Sequence, residues 1–234
     1  FVGVGPSLIL RNQAGDLQAD PPVHSASETD ATAVVDLDGD GRPDWLFANS
    51  GSEPQHDEVS SGGAEPRPFG PRERTSSLAW LRGPDGASSY LALARPEGRD
   101  AIYRLDEASL RELRTTGLLP APVWAPPTGG HSREVRSVTR SEGLGPGFVW
   151  AVEGRISMVE LQNEDFLVRW TLPQEGLTEG VAVADADGDG WLDLAVGNRN
   201  INGEGPGPLP ALEPIRVHLR VSSRGPTSGD DKVP

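Results

Sequence analysis

Apolar residues in this chain fall in short runs of about four to seven, each bounded by Gly, Pro, Asp or Asn. One run, 215–221, alternates cleanly between apolar and polar positions, the period of a half-buried strand, and helical periodicity is weak throughout. One short stretch, 107–113, reads as a helix or as a strand. The predicted strands recur in pairs: 29–36 with 45–48, 75–82 with 90–94, 133–140 with 148–152, and 178–185 with 194–197. Their connecting turns begin at 36, 82, 140 and 185, so the frames are 45–58 residues apart. That is the period of a four-stranded propeller blade.

Further strands fill out the frames. Segments 101–105 and 109–113 follow the second pair, 155–161 and 166–172 the third, and 215–221 the fourth. Residues 7–11, a turn at 14–16 and a short return strand precede the first pair, so the chain opens part-way through a blade. The expected fold is all-β: a β-propeller of about four recognisable blades over residues 1–221, either a small ring or a fragment of a larger one. In a small ring the N-terminal pair and the last inner pair share one blade, and 215–221 competes for the same slot. Residues 50–74 hold 12 Ser, Gly or Pro among 25 and no apolar run, and are expected as a mobile insertion. Residues 222–234 read as a disordered tail.

Two of the four turns are acidic. Asp36, Asp38, Asp40 and Asp44 occupy positions 1, 3, 5 and 9 of one turn; Asp185, Asp187, Asp189 and Asp193 occupy the same positions of another. Gly41 and Gly190 stand at position 6, and the carbonyls of Arg42 and Trp191 at position 7. Calcium takes six to eight oxygen ligands, and this spacing lets carboxylates converge on one point. Without a cation the four carboxylates repel one another. Two calcium sites are therefore expected, against the alternative of Asp/Gly turns that merely solvate a hairpin. Helix–loop–helix calcium loops are excluded, because position 12 holds Phe47 and Val196 rather than Glu and both flanks are strand-like. The other two turns begin with Arg82 and Arg140 and are not expected to bind calcium; an arginine there could take the cation's place.

This frame resembles the FG-GAP/VCBS repeat of integrin-α-type β-propellers, and residues 7–16 are similar to that family's third strand and following turn. The order of that segment, a linker and a calcium frame resembles secreted bacterial VCBS proteins and the cartilage-acidic-protein family. The resemblance covers residues 7–221, apart from 50–74. It implies calcium-binding loops between the first two strands of a blade, and adhesion or binding of protein or glycan ligands in an extracellular or periplasmic setting, with no catalysis. The propeller of a secreted polysaccharide lyase or hydrolase is the alternative, as is a purely structural segment of a larger secreted protein.

Composition narrows the partners. The formal net charge is −14, with 35 acidic residues against 21 basic, and Lys232 is the only lysine. Nucleic acid is thereby an unsuitable partner, since phosphate binding needs clustered Lys and Arg. There is no cysteine, which excludes disulfide scaffolds and thiol catalysis. No apolar run approaches the roughly 18–20 residues of a membrane span. Oligomeric state is not legible. His24, His56, His131 and His218 form no cluster, and no nucleophile elbow is present. Trp45, Trp80, Trp150 and Trp191 fall within or beside the frames and are expected to pack between blades; Trp124, in a Pro-rich loop, is the better candidate for a ligand contact.

Overall fold

The computed structural model describes residues 10–13, 16–19, 29–50, 54–62, 64–97, 99–126, 131–139, 145–174, 177–186, 192–199 and 216–218. An N-terminal hairpin pairs β1 (Leu10–Gln13) with β2 (Asp16–Ala19). The first larger sheet runs β3 (Thr29–Val35), β4 (Asp44–Asn49), β5 (Gln55–Ser60), β6 (Arg67–Glu73). The second runs β7 (Ser77–Arg82), β8 (Ser89–Ala94), β9 (Ala101–Leu105), and is followed by helix α1 (Glu107–Thr116). The third runs β10 (Ser132–Val138), β11 (Gly147–Val152), β12 (Arg155–Gln162), β13 (Asp165–Pro173). The fourth runs β14 (Leu177–Ala184), β15 (Asp193–Arg199), β16 (Arg216–His218). All pairings are antiparallel.

The first strands of the four sheets lie next to one another in chain order, β3 by β7, β7 by β10, β10 by β14. Val135 N donates to Ser77 Oγ at 3.2 Å, and Arg136 Nε to the Val181 carbonyl at 3.2 Å, tying these inner strands together. Meandering sheets joined through their inner strands are the blades of a β-propeller.

The core lies between blades. In β8, Tyr90, Ala92 and Ala94 face blade 3, while Leu91 and Leu93 face blade 1. In β11, Phe148, Trp150 and Val152 face blade 2, while Val149 and Ala151 face blade 4. Both strands are buried on both faces, which is why they read as continuous apolar runs. Each fully buried Leu or Phe contributes roughly 1.5–3 kcal/mol, so these interfaces hold the fold together. Trp150 is buried at the blade 2–3 interface, and Trp80 packs against the blade 1–2 cluster. Trp191 lies outside the described residues.

One expectation is corrected and two open readings are resolved. Residues 50–74 are not an insertion: β5 and β6 complete blade 1 there. Val59 and Phe69 alone anchor them in the core, 3% and 1% exposed. Pro68 and Pro71 are tolerated because β6 is an edge strand, where a missing N–H breaks no ladder. Residues 109–113 are not a fourth strand of blade 2 but part of α1. Asp106 caps the helix through Ser109 N at 2.8 Å, and only Leu113 is fully buried. Gly117 ends it with φ of 74°, at a spot where a Cβ would lie 2.2 Å from the Pro68 carbonyl. The outer edge of β9 is met instead by Trp124, which bridges Ile102. Finally, β16 takes the place beside β15, so the N-terminal hairpin is not paired there. The tail expected at 222–234 lies outside the described residues.

Candidate metal centre

The β3–β4 connection carries the first acidic loop. Its carboxylates turn back onto the loop's own backbone. Asp36 accepts from Gly39 N at 2.7 Å and Gly41 N at 3.0 Å; Asp38 from Asp40 N at 3.2 Å; Asp40 from Arg42 N at 2.7 Å. Gly39 and Gly41 have φ of 74° and 80°, and these left-handed turns bend the loop so that the three side chains share one side. One carboxylate oxygen from each of Asp36, Asp38 and Asp40 lies within 4.8 Å of the other two. Two oxygens bound to one calcium ion lie up to about 5 Å apart, so this spacing is compatible with a shared ion. The donor set, hard anionic oxygen, suits calcium.

Asp44 lies outside that trio. It is 2% exposed, and its two oxygens accept from Leu37 N at 2.7 Å and Gly62 N at 3.1 Å. With Leu37 itself in the blade 1–2 core, Asp44 pins the loop to the sheet. Arg42 is exposed, and its N–H donates to Asp40. Arg114 of α1 reaches over the loop and pairs with Asp38 at 2.5 Å, while its Nε donates to Ser61 at 3.2 Å. Desolvation pushes the Asp38 carboxyl up, but the Asp40 N–H and the Arg114 guanidinium outweigh it and hold it below the usual carboxylate range. Arg114 was not legible as a site residue, because its contact depends on how the helix packs.

The second acidic loop is described only at its ends. Asp187, Asp189 and Trp191 lie outside the described residues. Asp193 is 7% exposed and accepts from Ala186 N at 2.9 Å, matching the bond from Leu37 N to Asp44. Asp185 is exposed at the start of the loop. In blade 2 the corresponding turn closes on itself. Asp85 accepts from Ala87 N and Ser88 N, both at 3.0 Å, and Gly83 N donates to the Ser88 carbonyl at 2.8 Å. Arg82 Nη2 points at the Gly86 carbonyl, 3.4 Å away, as an internal cation. Of the corresponding blade 3 turn, Arg140 lies outside the described residues.

In blades 1 and 2, the strand ends away from these loops carry a second set of aspartates, not legible as such in the sequence. Asp57 accepts from Asn49 N at 3.0 Å, within blade 1, and from Thr75 Oγ1 at 2.9 Å, at the entry to blade 2. Asp100 accepts from Arg95 N at 2.7 Å, within blade 2, and from the Ser132 hydroxyl of blade 3. The same latch thus joins two successive blade pairs. Trp150 Nε1 extends the second latch, donating to Ser132 Oγ at 3.2 Å. Arg95, buried between them, pairs with Glu73 at 3.1 Å. Burial pushes Asp57 up to about 7 and Asp100 up to about 6, despite these donors. The recurring cue was an Asp near the start of the third strand in blades 1 and 2, paired with a hydroxyl residue just before or at the start of the next first strand.

No family model matches the sequence, and no curated protein matches it. Solved structures do match. The crystal structure of BBS1N in complex with ARL6DN, soaked with mercury, superposes with a TM-score of 0.51 at 16% identity, over 73% of this chain and 47% of that one. The lead-soaked form of that complex gives a TM-score of 0.43 at 14% identity, over 73% and 60%. A protein of unknown function from Bacteroides caccae gives 0.44 at 11% identity, over 82% and 66%. The chain therefore spans about half the length of the first of these structures. What the likeness establishes is the fold: the chain is built of β-propeller blades.

Proposed function

We propose that this chain is a calcium-stabilised β-propeller module of the FG-GAP/VCBS kind, binding protein or glycan ligands in an extracellular or periplasmic setting. The observation that carries the reading is the convergence of Asp36, Asp38 and Asp40 on a point that one calcium ion would fill. The matching anchors Asp44 and Asp193 support a second loop of the same build in blade 4. Bound calcium would neutralise the loop carboxylates and stiffen the β3–β4 and β14–β15 connections. A protein ligand is supported by the BBS1N fold, which is held with ARL6DN in its crystal structure. No helix among the described residues is long and apolar enough to cross a membrane.

Calorimetric calcium titration, with melting curves in calcium and in chelator, tests the metal reading. Calcium should bind with a dissociation constant of about 10⁻⁴–10⁻³ M, as in extracellular modules. At a hundredfold excess over that constant it should add about 2.7 kcal/mol of stability per site. Asp36→Asn and Asp185→Asn should each remove one site. Identical melting in calcium and chelator, with no binding heat, would overturn the reading.

A further inference from the structure

Blade 2 differs from its neighbours on its outer side. The chain leaves β9 through α1 and returns to the β9 edge only briefly. Ile102 N donates to the Trp124 carbonyl at 2.9 Å, and Val123 N to the Ile102 carbonyl at 2.8 Å. Blade 3 has a full fourth strand, β13, with nothing of equal length opposite it among the described residues of blade 2. A cleft of about 350 Å³ is left between the two blades.

Its walls are apolar: the Trp124 indole on the blade 2 side, and Trp150, Val159 and Val168 on blade 3. The two indoles are tilted 46° to one another with centroids 5.6 Å apart, forming a corner rather than a closed stack. Val168 is 47% exposed although it lines the cleft, so this side is open to an entering molecule. Polar groups are few. Ser157 and Thr171 hydroxyls lie 3.0 Å apart, and among the described residues Arg155 is the charged member of the lining. Arg155 engages a partner within the chain. Its guanidinium has five N–H donors, so it can take a further acceptor.

We infer that this interblade cleft binds a small amphipathic anion, an aliphatic or aromatic carboxylate whose apolar body lies against Trp124 and Val168 and whose head group meets Arg155. The volume falls within the range of small-molecule sites, which are mainly apolar with a few orienting polar groups. A cationic ligand would meet Arg155 with no lining carboxylate to compensate. The chain as a whole carries a net charge of −14, so Arg155 marks the place in this cleft where an anionic head group can be met. The site shares no residue with the acidic loops, and the inference does not depend on calcium.

Octanoate and octan-1-ol are the probes, titrated by calorimetry into the full chain and its variants. The expected result is one octanoate per chain, with octan-1-ol binding at least fivefold more weakly. Val168→Trp, which fills the open side, should weaken octanoate at least tenfold. Arg155→Met should abolish the preference for octanoate over octan-1-ol. The Trp124 indole N–H resonance, assigned with Trp124→Phe, should shift on octanoate addition, a readout that needs no folded Val168 variant. Absence of saturable binding, an unshifted Trp124 resonance, or a preference unchanged in Arg155→Met would each overturn the inference. Octanoate displaced stoichiometrically by an extended apolar peptide with neutral ends would overturn it too, assigning the cleft to a peptide.

Discussion

The blades carry aspartates at both ends, and the two sets behave in opposite ways. In the β3–β4 loop, Asp36, Asp38 and Asp40 are exposed and gathered on one point. Their hydrogen bonds go to the loop's own N–H groups and Asp38 also pairs with Arg114, so the loop is shaped by its carboxylates with part of its negative charge offset. In the latches, Asp57 and Asp100 are buried, 1% and 3% exposed, and each links a backbone N–H of one blade to a hydroxyl of the next. Exposure keeps a carboxylate charged and available to a cation. Burial raises the cost of its charge and turns the same residue into a joint between blades. The self-closed blade 2 turn, with Arg82 reaching the Gly86 carbonyl, marks an intermediate solution: the frame is kept and a protein cation sits at the loop.

Substitution at the latches should have the largest effect. Asp57→Ala leaves Asn49 N and the Thr75 hydroxyl buried without an acceptor and should cost about 2–4 kcal/mol in denaturant unfolding. Asp57→Asn, which keeps an acceptor, should cost about 1 kcal/mol. In the exposed loop the ranking reverses in kind: Asp36→Asn is nearly silent without calcium and loses the calcium response. Equal losses for Asp57→Asn and Asp57→Ala would show that the charge, not the acceptor, holds the latch.

Proton linkage gives the next effect. Asp57 and Asp100 have folded pKa values of about 7 and about 6, above the ordinary 3.8, so the folded state binds protons more tightly than the unfolded chain. Stability should therefore fall as pH rises from about 4 to about 7 and level off above that. Measured in chelator, the melting temperature should rise by several degrees between pH 8 and pH 5. Asp38 acts in the other sense, since its lowered pKa contributes stability at neutral pH that is lost as the medium becomes strongly acid. A melting temperature flat from pH 8 to pH 5 would mean that the latches do not take up protons there.

The smallest effect is expected at Arg114. Its pair with Asp38 is partly exposed, so Arg114→Gln should cost less than about 1 kcal/mol. The same change removes a positive charge from the loop and should raise calcium affinity a few-fold by calorimetry. Lower affinity in Arg114→Gln would assign the arginine to shaping the loop instead of competing with the cation.

How much of this was legible can be traced residue by residue. The continuous apolar runs of β8 and β11 marked strands, and the spacing of the four turns marked blades, because a blade-sized repeat recurs wherever each sheet must cover its neighbour. The acidic loop was legible because its ligand spacing is local, all within residues 36–44. β5 and β6 were hidden because outer strands need few apolar residues; Val59 and Phe69 suffice once the inner strands give them a surface. The helix was obscured by the same shortage of signal, one buried leucine in ten residues.

The sequence by itself determined the strand pairs, their repeat and the placing of acidic residues in the turns, since period-2 burial and turn chemistry act between neighbours along the chain. Only the tertiary structure decided that Asp44 anchors while Asp36, Asp38 and Asp40 converge, and that Arg114 comes to the loop. It alone decided that Asp57 and Asp100 join blades and that a cleft opens where blade 2 gives up its fourth strand. Each of these depends on contacts between residues far apart in sequence, where burial and a specific partner set what a side chain does.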